Sequence, residues 1–369
     1  MRTNFLLWLI CGVVVLQLSD VFADASEWRE AAPGHSYEFP RDHGAHADYK
    51  IEWWYYTGNV RTAEGRRFGY QLTFFRSGGK RETRSPSRWA VRDLYMAHFA
   101  LSDLDSGRFY FFDRLNRAGI TWAGVKADGA RIWNEDWEAR VTAKGHAIKA
   151  RADGVALDLL LEPLKPPVIH GADGVSRKGA EEGNASHYYS LTRLKSTGSI
   201  DVDGTSHRVQ GLSWMDHEFG TSFLEESDVG WDWLYVQLKD GRDLMFFVIR
   251  RKDGGTSPFS SGALIDEEGR SRGLTAREFT LRPETRWTSP ASEATYPVGW
   301  TLSVPGEDLT LKIDAAMIDQ ELRAKKSTGF AYWEGSTQAK GHWGERAVTG
   351  SGYLEMTGYS GKSMASVFR

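Results

Sequence analysis

Cysteine is all but missing from these 369 residues; the single one is Cys11. It falls in an N-terminal stretch that reads as a cleavable signal, so the mature chain would carry none. That excludes disulfides, thiolate catalysis and cysteine-based zinc sites. Charge of one sign is lacking too. The chain has 46 Lys and Arg against 49 Asp and Glu, a net charge of −3. Nucleic acid calls for a basic stripe, so no nucleic-acid partner is expected. Long apolar runs are absent beyond the N-terminus. Phe5 to Leu18 is mostly apolar but shorter than the ~20 residues of a spanning helix. Arg2 precedes it and Val21-Phe22-Ala23 follows, the parts of a secretory signal. We therefore expect residues 1–23 to be a signal peptide and the mature protein to be periplasmic or secreted. Gly-x-Ser-x-Gly, a phosphate-cradling loop, a dinucleotide fingerprint and His-Glu-x-x-His are all missing. No cofactor is expected. No metal is expected either, since His43 and His46 lack an evident third ligand.

Aromatic residues are abundant: 15 Trp, 14 Tyr and 18 Phe. Trp is large and must be buried or put to use. The aromatics fall in period-2 runs. Phe68, Tyr70, Leu72 and Phe74 form one. Leu234, Val236 and Leu238 form another, with Trp231, Trp233 and Tyr235 on its opposite face. Such alternation predicts strands. Acid-Gly turn signals punctuate the runs, among them Glu64-Gly65, Asp203-Gly204 and Asp240-Gly241. The fold class is all-β, a sandwich or barrel. Ala315 to Ala324 is a weak helical candidate, residues 163–183 a long loop, and Gly344 to Tyr359 a final hairpin.

An internal repeat is visible. Trp53-Trp54-Tyr55-Tyr56 precedes Glu64-Gly65 and the strand Phe68 to Arg76. Trp231-Asp232-Trp233-Leu234-Tyr235 precedes Asp240-Gly241 and the strand Leu244 to Arg250. Each block follows an Asp-His pair, Asp42-His43 or Asp216-His217. Two similar β domains, 24–222 and 223–369, are expected. Each is long enough for a barrel of about eight to ten strands around a ligand cavity.

Two polar constellations stand out. In Trp214-Met-Asp-His-Glu-Phe-Gly220, a strand would turn Asp216 and Glu218 to one side and His217 to the other. Burial would raise one of the two carboxyls and make it a general acid. In Asp42-His43-Gly-Ala-His46 and Glu52-Trp53-Trp54-Tyr55-Tyr56, Glu52 directly precedes four aromatics. Buried, it must be protonated, hydrogen-bonded or paired, with Arg193 or a histidine as partner. His98 sits on an apolar strand.

Together with Ser190-Leu-Thr-Arg193-Leu194, Tyr332-Trp-Glu-Gly335 and Gly352-Tyr-Leu-Glu-Met-Thr-Gly-Tyr359, these segments resemble the AttH/CrtC family. That family includes carotenoid 1,2-hydratase and many proteins described as predicted secreted hydrolases. The resemblance runs from about residue 36 to 360 and implies two lipocalin-like antiparallel β-barrel domains in tandem and an apolar ligand.

The expected function is that of an exported protein acting on an isoprenoid or lipid by acid-catalysed hydration or hydrolysis. Asp216 would be the acid, His217 its orienter or the base for water, and Glu218 a second carboxylate. Substrate-binding candidates are Glu52, Trp53, Trp54, Tyr56, His98, Arg193, Trp214, Trp231, Trp233 and Tyr235. Of these, Trp231, Trp233 and Tyr235 would stabilise a carbocation, at ~0.5–2 kcal/mol per ring. The alternative is a non-catalytic periplasmic carrier of lipid or isoprenoid. Partners are then an apolar small molecule or lipid, with transient membrane contact.

Overall fold

The computed structural model describes residues 28–79, 91–119, 121–126, 128–222 and 224–361. The expected signal peptide, residues 1–23, lies outside them. Among the described residues there is no α-helix; two 3-10 turns, Arg41–His43 and Pro305–Glu307, are the only helical pieces.

A 13-stranded sheet forms the first half. Its opening strands are β1 (Ile51–Arg61), β2 (Arg67–Gly78), β3 (Asp93–Asp103) and β4 (Arg108–Arg117). Then come β5 (Ala123–Val125), β6 (Arg131–Asn134), β7 (Trp137–Thr142), β8 (Gly145–Ala152) and β9 (Val155–Pro163). The short β10 (Val168–Ile169) and β11 (Ser176–Arg177) precede the long β12 (Ala185–Val202) and β13 (Thr205–Ser222). A 10-stranded sheet follows. It starts with β14 (Asp228–Leu238), β15 (Asp243–Arg251), β16 (Ser261–Ile265), β17 (Ser271–Thr275) and β18 (Thr280–Thr288). It ends with β19 (Thr295–Val304), β20 (Leu309–Ala315), β21 (Glu321–Arg323), β22 (Ala331–Trp343) and β23 (Arg346–Met356).

The two sheets share one plan. Strands run as an antiparallel meander, and the first strand pairs with the last: β1 with β13, β14 with β23. Each path ends at a seam, between β4 and β5 in one sheet and β17 and β18 in the other. These are two lipocalin-like barrels, the first nearly closed and the second a half-barrel. The repeat read from the sequence is therefore structural: β1 and β14 hold the same place in their sheets. The Asp203-Gly204 turn joins β12 to β13 with φ of 48° and 79°. Positive φ at both central residues is what a tight hairpin twisting with its strands demands.

Alternation decides what each side chain faces. Even-numbered β1 residues Trp54 and Tyr56 join Phe68, Tyr70, Leu72 and Phe74 inside the first barrel. Leu234, Val236 and Leu238 fill the second. Odd-numbered Tyr55 packs with Trp231, Trp233, Tyr235 and Tyr353 in a third cluster, between the barrels. A cavity inside each barrel was expected from the length of the halves; buried side chains, many of them aromatic, occupy both interiors, and an aromatic-lined pocket lies between the outer faces.

The barrels are locked together by buried polar contacts. Asp243 accepts from Lys165 Nζ at 2.7 Å and Arg193 Nη2 at 2.6 Å. Gln237 Nε2 donates to the Thr192 and Ser213 carbonyls at 2.8 and 2.9 Å.

Three local expectations change. Ala315 to Ala324 is not helical: β20 ends at Ala315 and β21 spans Glu321–Arg323. Pairing of β20 and β21 along β22 overrides a weak helical preference. The 163–183 loop carries β10 and β11, both laid on β12. In the final hairpin, Tyr359 lies beyond the end of β23.

Candidate active site between the barrels

The pocket encloses about 800 Å³ of space, part of it open to solvent. Its walls are Trp53, Tyr55, Phe75, Tyr188, Trp231, Trp233, Phe247, Phe330 and Tyr332, with His98, Lys178, Asp216, Glu218 and Glu355 as its ionisable groups. Strand register explains this set. Trp53 on β1 stands opposite Phe75 on β2 and Glu218 on β13. Trp233 on β14 stands opposite Phe247 on β15 and Glu355 on β23. Each barrel thus presents a Trp-Phe-Glu trio from its closing strands, and the two trios share one pocket.

Asp216 is buried in this wall. Burial pushes its carboxyl up to about 7, against the hydrogen bonds of Ser190 and Trp214. Both donors bind one oxygen: Ser190 Oγ and Trp214 Nε1, the latter at 2.7 Å, donate to Oδ1. The Tyr188 hydroxyl adds a third neutral hydrogen bond to the same carboxyl. Neutral donors cannot offset desolvation as a cation would. Behind Ser190, His170 Nε2 lies 2.7 Å from its Oγ. Glu355 is likewise raised to about 7 by burial, with Trp231 Nε1 donating to it at 3.0 Å. Glu334, beneath Tyr55, is raised well above the usual carboxylate range by burial and by the charge of Glu355. Glu218 differs: Lys178 Nζ lies 2.9 Å from its Oε1.

His98 faces the pocket from β3. Burial lowers its imidazole to about 4, so it is neutral near pH 7. It sits 2.6 Å from Tyr332 Oη and 2.8 Å from Ser327 Oγ, which donates to Asp113.

The sequence-predicted residues divide by strand face. Asp216, Glu218, Trp53, His98, Trp231 and Trp233 line the pocket. Trp214 and Tyr235 are buried behind it, stacked at 4.6 Å. The others belong elsewhere. His217, between the two pocket carboxyls in sequence, points the opposite way, so it does not orient Asp216. Its Nε2 meets Glu52 Oε1 at 2.9 Å. Glu52 faces the same side, paired with Arg76 at 3.1 Å and His46 at 2.8 Å rather than with Arg193. Burial raises Glu52, but bonds from His217 and His46 and the charge of Arg76 outweigh it and hold the carboxyl well below the usual range. His46 Nε2 continues the chain to Asp42 at 2.9 Å. Trp54 Nε1 donates to the His43 carbonyl and Tyr56 Oη meets His146, both inside this network. Arg193 is committed to Asp243. His46, Glu52 and His217 converge closely enough to ligate a metal. Yet Glu52 Oε1 already meets His46 N, His46 Nδ1 and His217 Nε2, a complete hydrogen-bond set.

Sequence reasoning missed Tyr55, Phe75, Lys178, Tyr188, Phe247, Tyr332 and Glu355 as pocket residues. The repeat held the signal for Glu355, because aligning Trp233 with Trp53 matches Glu355 to Glu218.

A family model described as AttH-like matches residues 30–359. The chain belongs to the AttH-like family. An AttH protein of Nitrosomonas europaea has a crystal structure that covers 90% of this chain and 99% of its own, at 34% identity and a TM-score of 0.81. Kievitone hydratase from Nectria haematococca shares the fold, with a TM-score of 0.65 at 14% identity over 90% of this chain and 96% of its own. A curated relative is dehydratase asqC of Emericella nidulans, 22% identical over 245 residues. The match takes in 62% of this chain and 66% of that protein, so the AttH-like chain spans just under two thirds of its relative's length.

Proposed function

We propose that this protein is a hydro-lyase, adding water across a carbon–carbon double bond of an apolar small molecule held between the barrels, or eliminating water from an alcohol to form one. One observation carries this: an aromatic pocket holds two carboxyls, Asp216 and Glu355, that burial keeps near 7. Hydration needs a proton delivered to one carbon while water adds to its neighbour. The Asp216 carboxyl is the donor, and in dehydration the same group protonates the departing hydroxyl. The aromatic walls exclude bulk water and hold an unsaturated ligand. Glu355, on the other barrel, is the second proton-transfer group. A positioned acid contributes ~10²–10⁴-fold to such a step. The names of a hydratase and a dehydratase among its relatives agree with this chemistry.

The test uses two probes in oxygen-18 water, the isoprenoid diene myrcene and the aryl enone benzylideneacetone. The full chain should give a labelled alcohol from at least one, and Asp216→Asn should not. If neither probe is labelled, or Asp216→Asn labels as well as wild type, the proposal fails.

A further inference from the structure

Most donors around the pocket are committed. Trp231 Nε1 serves Glu355 and Trp233 Nε1 serves Tyr188. Tyr55 donates to Glu334, and Tyr332 lies against His98. Lys178 stands apart. It follows β11, its side chain is 3% exposed, and it lines the pocket. Its ammonium has three N–H groups. Glu218 Oε1 at 2.9 Å and Ser176 Oγ at 3.0 Å take two. The nitrogen otherwise faces rings, with Phe247 at 4.3 Å and Tyr188 at 5.3 Å from their centroids. Across the barrel junction, Thr328 Oγ1 also lines the pocket and is buried without a hydrogen-bond partner.

We propose that Lys178 is a binding subsite for the carbonyl oxygen of a neutral apolar ligand, which makes the substrate class of the hydro-lyase an enone or the β-hydroxy ketone formed from it. This rests on the hydro-lyase reading of the pocket. A neutral carbonyl fits better than a carboxylate, because Glu218 already balances the ammonium and an added anion would face it. The Lys178 side chain is also buried, and a charge-assisted hydrogen bond is stronger there than in water. With the carbonyl held there, water forms a bond to the β carbon and the π pair shifts toward the oxygen facing Lys178. The α carbon then takes the Asp216 proton, and the proton shed by the water restores that carboxyl. Negative charge develops at Lys178, so an enolate replaces the carbocation expected from the aromatic residues alone.

Calorimetric binding to the full chain tests this without turnover. The probes are 2-acetylnaphthalene, its isostere 2-isopropenylnaphthalene, and 2-naphthoate. The ketone should bind about 10- to 100-fold tighter than the alkene, the range of a hydrogen bond to a charged group. It should also bind tighter than naphthoate. Lys178→Met should erase the ketone's advantage while the alkene still binds. The double variant Lys178→Met/Glu218→Gln repeats the measurement without an unpaired carboxylate. Equal binding of ketone and alkene overturns the subsite, as does a ketone preference that survives both variants. Tighter naphthoate binding overturns the neutral carbonyl in favour of an anion. Binding of none of the three overturns the subsite together with the pocket reading, whereas alkene binding without discrimination leaves the pocket standing.

Discussion

Glu52 and Asp216 lie on paired strands three residues out of register, and they end in opposite charge states. Glu52 pairs in register with Phe219 and Asp216 with Tyr55, so their side chains leave opposite faces of one β-ribbon. Both are buried. Glu52 meets Arg76 and two histidines and stays ionised. Asp216 meets a serine hydroxyl and an indole N–H, and holds its proton to about 7. The depth of burial does not separate them; the charge of the partner does. One face of the ribbon is a structural ion network and the other a reservoir of exchangeable protons.

Removing each partner should break this comparison in a different place. The largest effect is on chemistry: Asp216→Asn should cut turnover by ~10²–10⁴-fold, read by product formation, with no loss in melting temperature. Arg76→Leu should do the reverse. It leaves Glu52 short of its permanent cation and should cost about 3–5 kcal/mol of stability, measured by urea unfolding. Glu355→Gln sharpens the comparison within the pocket. Because Glu355 is a proton-transfer group, its loss should lower turnover by roughly tenfold or more, whereas its twin by register, Glu218, is held by Lys178. Glu218→Gln should act through the position of Lys178 and show first in the binding of a carbonyl ligand.

The smallest effect is on pH dependence. Asp216 and Glu355 are raised in the folded state, so between about 4 and about 7 the folded chain binds more protons than the unfolded one. Stability should therefore fall as pH rises through that window, and Asp216→Asn should flatten the slope. Glu52 and Asp42 run the other way. Their folded values are depressed, so their contribution is complete above the unfolded values and is lost as pH falls through the folded ones. Urea midpoints taken across pH for wild type, Asp216→Asn and Glu52→Gln would separate the two slopes.

Strands and their faces were legible in the sequence because alternation is a local property. Asp216 and Glu218 on one side, with His217 on the other, follow from spacing alone. The sequence also exposed the repeat and, through it, two equivalent sheets. What spacing cannot reveal is which face of a strand becomes the inside of a barrel. Treating Glu52, Trp53, Trp54 and Tyr56 as one site merged two faces, and only Trp53 reaches the pocket. Arg76 was invisible as the partner of Glu52 because it stands opposite on β2, a pairing set by the hairpin register. Lys178 sits in a stretch of loop whose place depends on two short bridges to β12.

The paired Trp-Phe-Glu trios carry a consequence for how a ligand can lie. Two identical subunits meeting about a dyad must offer every ligand the same group twice. A single chain that encodes both copies escapes that restriction. Here one trio's glutamate is held by Lys178 and the other's by Trp231, so a molecule lying across the junction meets different chemistry at its two ends, and its orientation can be selected.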